Sequence, residues 1–229
     1  MESKIKDLYN AHSHKPGPRS VYNVNYKEMY QLKDIELNQL VSLSAHPWDL
    51  SDFSMNEFIN AFNYLSSRRD LKIVALGEVG LDRKRGIPLK EQLNIFSQIV
   101  NFANEVNLPL IIHCVSALDD ILGCLKKYKY TRSCLFHDFN GNKIMTNKLT
   151  EIGHYIGVGQ SLWRENSKIF RQLSGLEIGN VLLETDDLDK SIDHVYSRYI
   201  QLIDQPREIV LHQIKSNFCL FFELPLNSL

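Results

Sequence analysis

The feature that most constrains this chain is a recurrence: an apolar, β-rich run ending in polar residues, followed by a segment of helical pattern. The candidate strands are Ile5–Ala11, Ser20–Asn25, Leu40–Ser44, Ile73–Gly77, Leu110–His113, Cys134–His137, His154–Gly157 and Val181–Thr185, eight in all. The clearest helix runs from Pro88 to Val106, where Leu89, Leu93, Phe96, Ile99, Val100 and Ala103 recur at spacings of three and four and mark one buried face. Pro88 opens it and Pro109 follows its end, both natural boundaries. Ala117–Tyr128, Lys143–Ile152, Ile169–Leu173, Asp193–Leu202 and Pro206–Phe222 carry weaker forms of the same pattern.

Strands alternating with helices build parallel βαβ units. With eight strands, the expected fold is a TIM-barrel-like (β/α) barrel, formed by a single domain over residues 1–229. At 229 residues the chain is shorter than the roughly 250 usual for such barrels. The shortfall has a place: only His12 to Arg19 separate the first two strand candidates, and Lys15-Pro16-Gly17 lies among them. A crossover helix needs more chain than that. The helix between the first and second strands is therefore expected to be absent.

The C-terminal ends of these runs carry His12 and His14, Glu78, His113, His137 and Asp186, and parallel barrels place their active sites at that end. In His12-Ser13-His14 the two imidazoles are two residues apart, so a strand presents both on one face. That motif is weak alone. Glu78 follows an apolar run between Gly77 and Gly80; a carboxylate there is costly to bury unless paired or coordinated. His113 and His137 each close an apolar run at the same position relative to its end. Glu184 and Asp186 share one face after the last run, so either could point inward, and Asp186 lies nearer the rim.

Together, four histidines and two carboxylates at one barrel mouth could not coexist without cations to offset their desolvation. Six ligands exceed the three of a typical catalytic zinc. They fit two metals about 3.5–4 Å apart sharing a bridging carboxylate. Zn²⁺, Mg²⁺, Mn²⁺ or Ni²⁺ would each suit such donors. His46 is expected to line the pocket, and His154, His194 and His212 are assigned no role.

Net charge is -1, with 26 basic and 27 acidic side chains, which argues against a protein that coats long nucleic acid through a global positive field. No run approaches the roughly 20 apolar residues of a membrane span, and MESKIKDLYN lacks the apolar core of a signal peptide. Four cysteines without C-x-x-C spacing suggest neither a zinc knuckle nor a disulfide framework. A reduced, cytoplasmic setting is expected.

Several segments, in order, resemble the TatD family of metal-dependent deoxyribonucleases among the amidohydrolase-like barrels. They are Asn10-Ala-His-Ser-His14, Ala45-His-Pro-Trp48, Gly77-Glu-Val-Gly-Leu-Asp82, Asn107-Leu-Pro-Leu-Ile-Ile-His113, Phe136-His-Asp-Phe-Asn-Gly141 and Leu183-Glu-Thr-Asp186. The short first loop is similar to a compact branch of that family. The resemblance implies that His12, His14 and Asp186 hold one metal, that His113 and His137 hold the other, and that Glu78 bridges them. Asp186 would also be the general base. Asp138, Asn140 and the Asp187-Leu-Asp189 run depart from the family pattern.

The activity so implied is phosphodiester hydrolysis, exonucleolytic on single-stranded DNA ends, with two divalent metals activating water. Lys15, Arg19, Arg83, Lys84 and Arg85 follow strand ends and could contact phosphates; Trp48 and Trp163 could stack bases. Two alternatives stand beside it. The same site could hydrolyse an amide or ester, which the acids at Asp138, Asp187 and Asp189 favour, or the barrel could be a partner subunit of a larger complex.

Overall fold

The computed structural model describes residues 8–32, 35 and 37–226. Its eight strands are parallel and lie in sequence order: β1 (Asn10–Ser13), β2 (Ser20–Asn25), β3 (Gln39–Ser44), β4 (Leu71–Asp82), β5 (Leu110–Val115), β6 (Cys134–Phe136), β7 (Tyr155–Val158) and β8 (Val181–Leu183). Just past β8, Asp186 bridges Ser13 of β1 and closes the cylinder. A side chain completes this seam: the Asn10 amide donates to Thr185 Oγ1 at 2.8 Å, and Asn10 Oδ1 accepts from the Thr185 amide at 3.0 Å. The architecture is a TIM-barrel-like (β/α) barrel.

Among the described residues, six α-helices surround it: α1 (Met55–Ser67), α2 (Leu89–Val106), α3 (Leu118–Lys127), α4 (Lys143–Thr150), α5 (Ile192–Leu202) and α6 (Arg207–Phe221). No helix joins β1 to β2, where every residue is described, as the short loop requires. Between β2 and β3 the described residues include a 3-10 turn, Met29–Gln31. The segment predicted as helix Ile169–Leu173 is instead a 3-10 helix, Phe170–Gly175, one of three such turns between β7 and β8. Only Ile169 and Leu173 of that segment are fully buried, too narrow a stripe for a packed α-helix.

The periodicity reading omits α1. Its Phe58, Ala61 and Leu65 line one buried face, and the Ser54 hydroxyl caps it by accepting from the Glu57 amide. Ser54-x-x-Glu57 is a capping-box spacing, a signal present in the sequence. The first strand also shifts. Residues 5–7 of its predicted span lie outside the described residues, and β1 runs Asn10–Ser13, taking His12 into the strand rather than beyond it. Likewise β4 extends to Asp82, which makes Glu78 a mid-strand residue.

Two apolar layers hold the barrel. The larger packs the outward faces of the strands against the helices. The smaller gathers Val21, Ile111, Leu135 and Leu182 with Phe218, Phe221 and Phe222 at the end of α6. On β5, Leu110 and Ile112 belong to the outer layer while Ile111 between them belongs to the second cluster. Alternation then returns His113 to the inner face. The same parity turns His137 and Glu184 inward.

Candidate metal centre

Glu78 and His12 reach the mouth by a different route. The ladder between β1 and β2 shifts register between Asn10 and Ser13, and that between β4 and β5 shifts between Leu76 and Val79. Such irregularities re-aim side chains beside active sites. Here each falls on a residue of the site. Glu78 is then pinned by its backbone: its amide donates to Asn23 Oδ1 at 2.7 Å, and its carbonyl accepts from the Ser44 hydroxyl at 3.0 Å.

The carboxylate of Glu78 divides its two oxygens. Oε1 lies 2.6 Å from His113 Nδ1, 2.6 Å from His137 Nε2 and 3.2 Å from His46 Nε2. Oε2 faces His12 Nε2 at 3.4 Å and His14 Nε2 at 3.9 Å. Asp186 Oδ1 stands 3.5 Å from His12 Nε2 and 3.3 Å from His14 Nε2. All six sequence-predicted residues thus meet at one mouth. Donor atoms of His12, Glu78, His137 and Asp186 lie within 4.8 Å of one another, as do those of His46, Glu78 and His113. His137 stands between the two groups, and His14 is the most open, its side chain 44 % exposed.

Asp186 achieves its position with a left-handed backbone, φ 52°, a conformation that Asp tolerates better than most residues. Its amide donates to the His12 carbonyl at 3.0 Å, and its carbonyl accepts from the His14 amide at 3.2 Å. Seam and site are therefore one structure.

The protonation chemistry fits a cation. Burial would lower the His12 imidazole, but the Asp186 and Glu78 carboxylates outweigh it and lift it to about 9. His137 is lifted to about 10, again against burial, chiefly by the charge of Glu78. Burial raises the Glu78 and Asp186 carboxyls, yet the surrounding imidazoles hold both below the usual range. By itself, then, the cluster keeps protons on imidazoles to balance the buried Glu78 and the partly buried Asp186. A divalent cation held by these same residues would supply that balancing charge in place of the protons. His12, fully buried, has no well-formed hydrogen bond at either ring nitrogen, as expected of a side chain shaped to coordinate.

A supporting layer orients the donors. Asp82 Oδ2 lies 3.4 Å from His113 Nε2, so that nitrogen donates outward and Nδ1 is turned to Glu78. The same carboxylate oxygen accepts from the Trp48 indole at 2.7 Å. Gln92 of α2 fixes this loop, accepting from the Asp82 amide and donating to the carbonyls of Asp82, Arg85 and Ile87. On the other side, buried Glu184 accepts from the Asp138 amide and lies 4.0 Å from His137 Nδ1. Burial pushes the Glu184 carboxyl up to about 7.

His46 is the site residue that sequence reasoning undervalues. It follows β3 as His113 and His137 close their own runs, which is the available signal. Its Nδ1 accepts from the Trp48 amide at 3.2 Å. In the neutral ring the proton then sits on Nε2, making His46 a donor to Glu78 rather than a free lone pair.

The TatD related DNase family matches residues 17–223. The chain belongs to this family. An uncharacterised metal-dependent hydrolase, YjjV of Escherichia coli (strain K12), is 25% identical over 219 residues, covering 88% of this chain and 79% of that one. The 3'-5' ssDNA/RNA exonuclease TatD of Klebsiella pneumoniae (strain 342) is 30% identical over 124 residues, 52% of this chain and 46% of its own. The crystal structure of the E. coli YjjV TatD homologue superposes with a TM-score of 0.75 at 20% identity, covering 96% of this chain and 98% of that one, and agrees in fold. This TatD-family chain is a metal-dependent hydrolase.

The basic and aromatic residues flagged in the sequence take different places around this TatD-type mouth. Trp48 is 43% exposed at the rim, with the Arg85 guanidinium 3.7 Å from its ring centroid. Trp163 is half-buried beneath Lys190. Arg83 pairs with Asp120, and Lys15 lies 3.9 Å from Asp189. His194 and His212 are surface residues, and His154 sits at the start of β7, away from the cluster. No helix among the described residues is long and apolar enough to cross a membrane.

Proposed function

We propose that this chain is a single-domain deoxyribonuclease that hydrolyses phosphodiester bonds exonucleolytically at single-stranded DNA ends, using two divalent cations. The observation that carries this reading is the divided carboxylate of Glu78, one oxygen toward His113 and His137 and the other toward His12 and His14. His12, His14 and Asp186 would hold one cation, His113 and His137 the other, with Glu78 between. When bound, such a pair lowers the pKa of water and neutralises charge building on a phosphate.

The chain's own residues supply the rest. Asp186 stays ionised at neutral pH and stands at the rim, where it can accept the proton of the attacking water. His46 Nε2–H, 3.2 Å from Glu78 Oε1, can hold that carboxylate oxygen in place. Asp82 and Gln92 hold His113 and Trp48 in place. The family description and the Klebsiella relative, named as a single-stranded DNA and RNA exonuclease, support the nucleic-acid substrate. The four cysteines are free thiols, which supports a reducing, cytoplasmic location.

The test is incubation of purified protein with end-labelled single-stranded DNA and, separately, with acyl ester and amide substrates, each with Mn²⁺, Mg²⁺ or Zn²⁺. The expected result is stepwise shortening of DNA, with kcat reduced at least about a thousandfold in His113→Ala and Asp186→Asn. Hydrolysis of the acyl substrates with DNA left intact would overturn the assignment in favour of an amidohydrolase-type activity.

A further inference from the structure

Two clefts reach the metal centre from opposite sides of the barrel mouth. One, of about 490 Å³, lies between the β1–β2 turn and the segment after β8, and Asp186 is in its wall. The other, of about 890 Å³, is formed by the loops after β4, β5 and β6 with the segment after β7, and His137 is in its wall. In barrel order, β8-β1-β2 faces β4-β5-β6 across the axis. Asp186 and His137 belong to one donor cluster. A chain laid from one cleft to the other must pass over that cluster.

The clefts differ in size and in charge. In the larger, Arg83 bonds Asp120 at 2.6 Å, Lys148 bonds Asp119 at 2.7 Å and Arg164 meets Asp138 at 3.4 Å. Lys84 and Lys168 line the same cleft and, among the described residues, make no salt bridge. Both are exposed, and the Lys168 backbone is held by Asn140, whose side chain accepts from its amide at 2.7 Å. The smaller cleft has no such excess, since its lining holds Lys15 and Lys190 together with Asp186 and Asp189. Ile144, 78% exposed, adds an apolar surface at the rim of the larger cleft. Unstacked bases can rest on such a surface, whereas a duplex hides theirs.

Resting on the phosphodiesterase reading above, we propose that the larger cleft carries the continuing single strand of the substrate. Lys84 and Lys168 contact its phosphates, and the smaller cleft seats the terminal residue that is removed. The volume of the smaller cleft suits one small ligand, and its balanced charge gives a polyanion no reason to enter further. The strand thus crosses the mouth in a fixed sense, from the β4–β6 side to the β8–β2 side.

The experiment is fluorescence anisotropy of the metal-loaded protein with a labelled single-stranded 12-mer of nuclease-resistant phosphorothioate linkages, so that binding is read without turnover. Lys84→Glu/Lys168→Glu is compared with Lys72→Glu/Lys126→Glu, an equal charge change at exposed positions on β4's N-terminal end and the α3 C-terminal end. The first double variant is expected to raise Kd at least tenfold. It should also flatten the slope of log Kd against log salt by about 1.4, the value for two single-strand phosphate contacts. The second should change Kd less than twofold. Equal Kd values in the two double variants, or no DNA binding by the wild type, overturn the cleft assignment. Each single substitution serves if a double variant does not fold. Hydrolysis of bis(4-nitrophenyl) phosphate by the wild type with added metal is read separately. Diester cleavage with equal Kd values refutes the cleft alone, whereas absence of diester cleavage refutes the catalytic reading on which it rests.

Discussion

Glu184 Oε1 lies 4.0 Å from His137 Nδ1, and that nitrogen has no hydrogen-bond partner. Glu184 Oε2 is likewise buried and unpartnered, and Gly157 leaves room for it: a Cβ there would stand 2.3 Å from Oε2. A carboxylate behind a histidine fixes ring orientation and raises its basicity toward a metal. At 4.0 Å the two groups make no hydrogen bond, so a positioning role for Glu184 is a prediction. Glu184→Gln should weaken metal binding about 10–100-fold, as measured by competition with a chromophoric chelator. An unchanged affinity would show that His137 is held by other means.

Gly80 tests how closely the ligand strands are packed. Its φ is +149°, and a Cβ at this position would lie 2.0 Å from the His113 carbonyl oxygen. That neighbour is backbone and cannot rotate away. Gly80→Ala should cost at least about 2–3 kcal/mol in urea unfolding and weaken metal binding by displacing His113. Gly123 is the contrast, since it lies within α3 and a Cβ there meets nothing within 4 Å. Gly123→Ala should stabilise by about 0.5–1 kcal/mol. Equal effects at the two positions would contradict the packing described.

His154 gives a pH dependence that is separate from the metal centre. Burial lowers its pKa from 6.5 to about 4, and its Nδ1 accepts from the Cys134 amide at 3.3 Å. Between these values the unfolded chain binds the extra proton and the folded chain does not. The stability from this group is complete above about pH 6.5 and is lost as pH falls toward 4, by up to about 3 kcal/mol. Urea unfolding of wild type and His154→Gln at pH 4.5, 5.5 and 7.5 should give a shallower pH slope for the variant. Parallel slopes would remove His154 as the cause.

Much of this molecule is legible in its sequence because both faces of a barrel strand are buried. The apolar pattern marks Ser20–Asn25 with its observed bounds, and it places the runs ending at His113 and His137 within two residues of theirs. The parallel-strand architecture and the set of metal-competent side chains follow from those runs. The helix α1 escapes that reading, although Phe58, Ala61 and Leu65 hold its period and Ser54 its cap.

What the tertiary structure decided depends on register, which no single segment contains. The ladder shifts at Asn10/Ser13 and Leu76/Val79 turn His12 and Glu78 to the mouth. A regular alternation read from the sequence cannot show where pairing slips. His46 entered the site only because β3 lies next to β4, bringing its Nε2 3.2 Å from Glu78 Oε1. Residue type and local period, which a chain carries by itself, select the strands and the donors. Which donors share a space is settled by strand pairing between distant segments, because only the closed barrel fixes their separation.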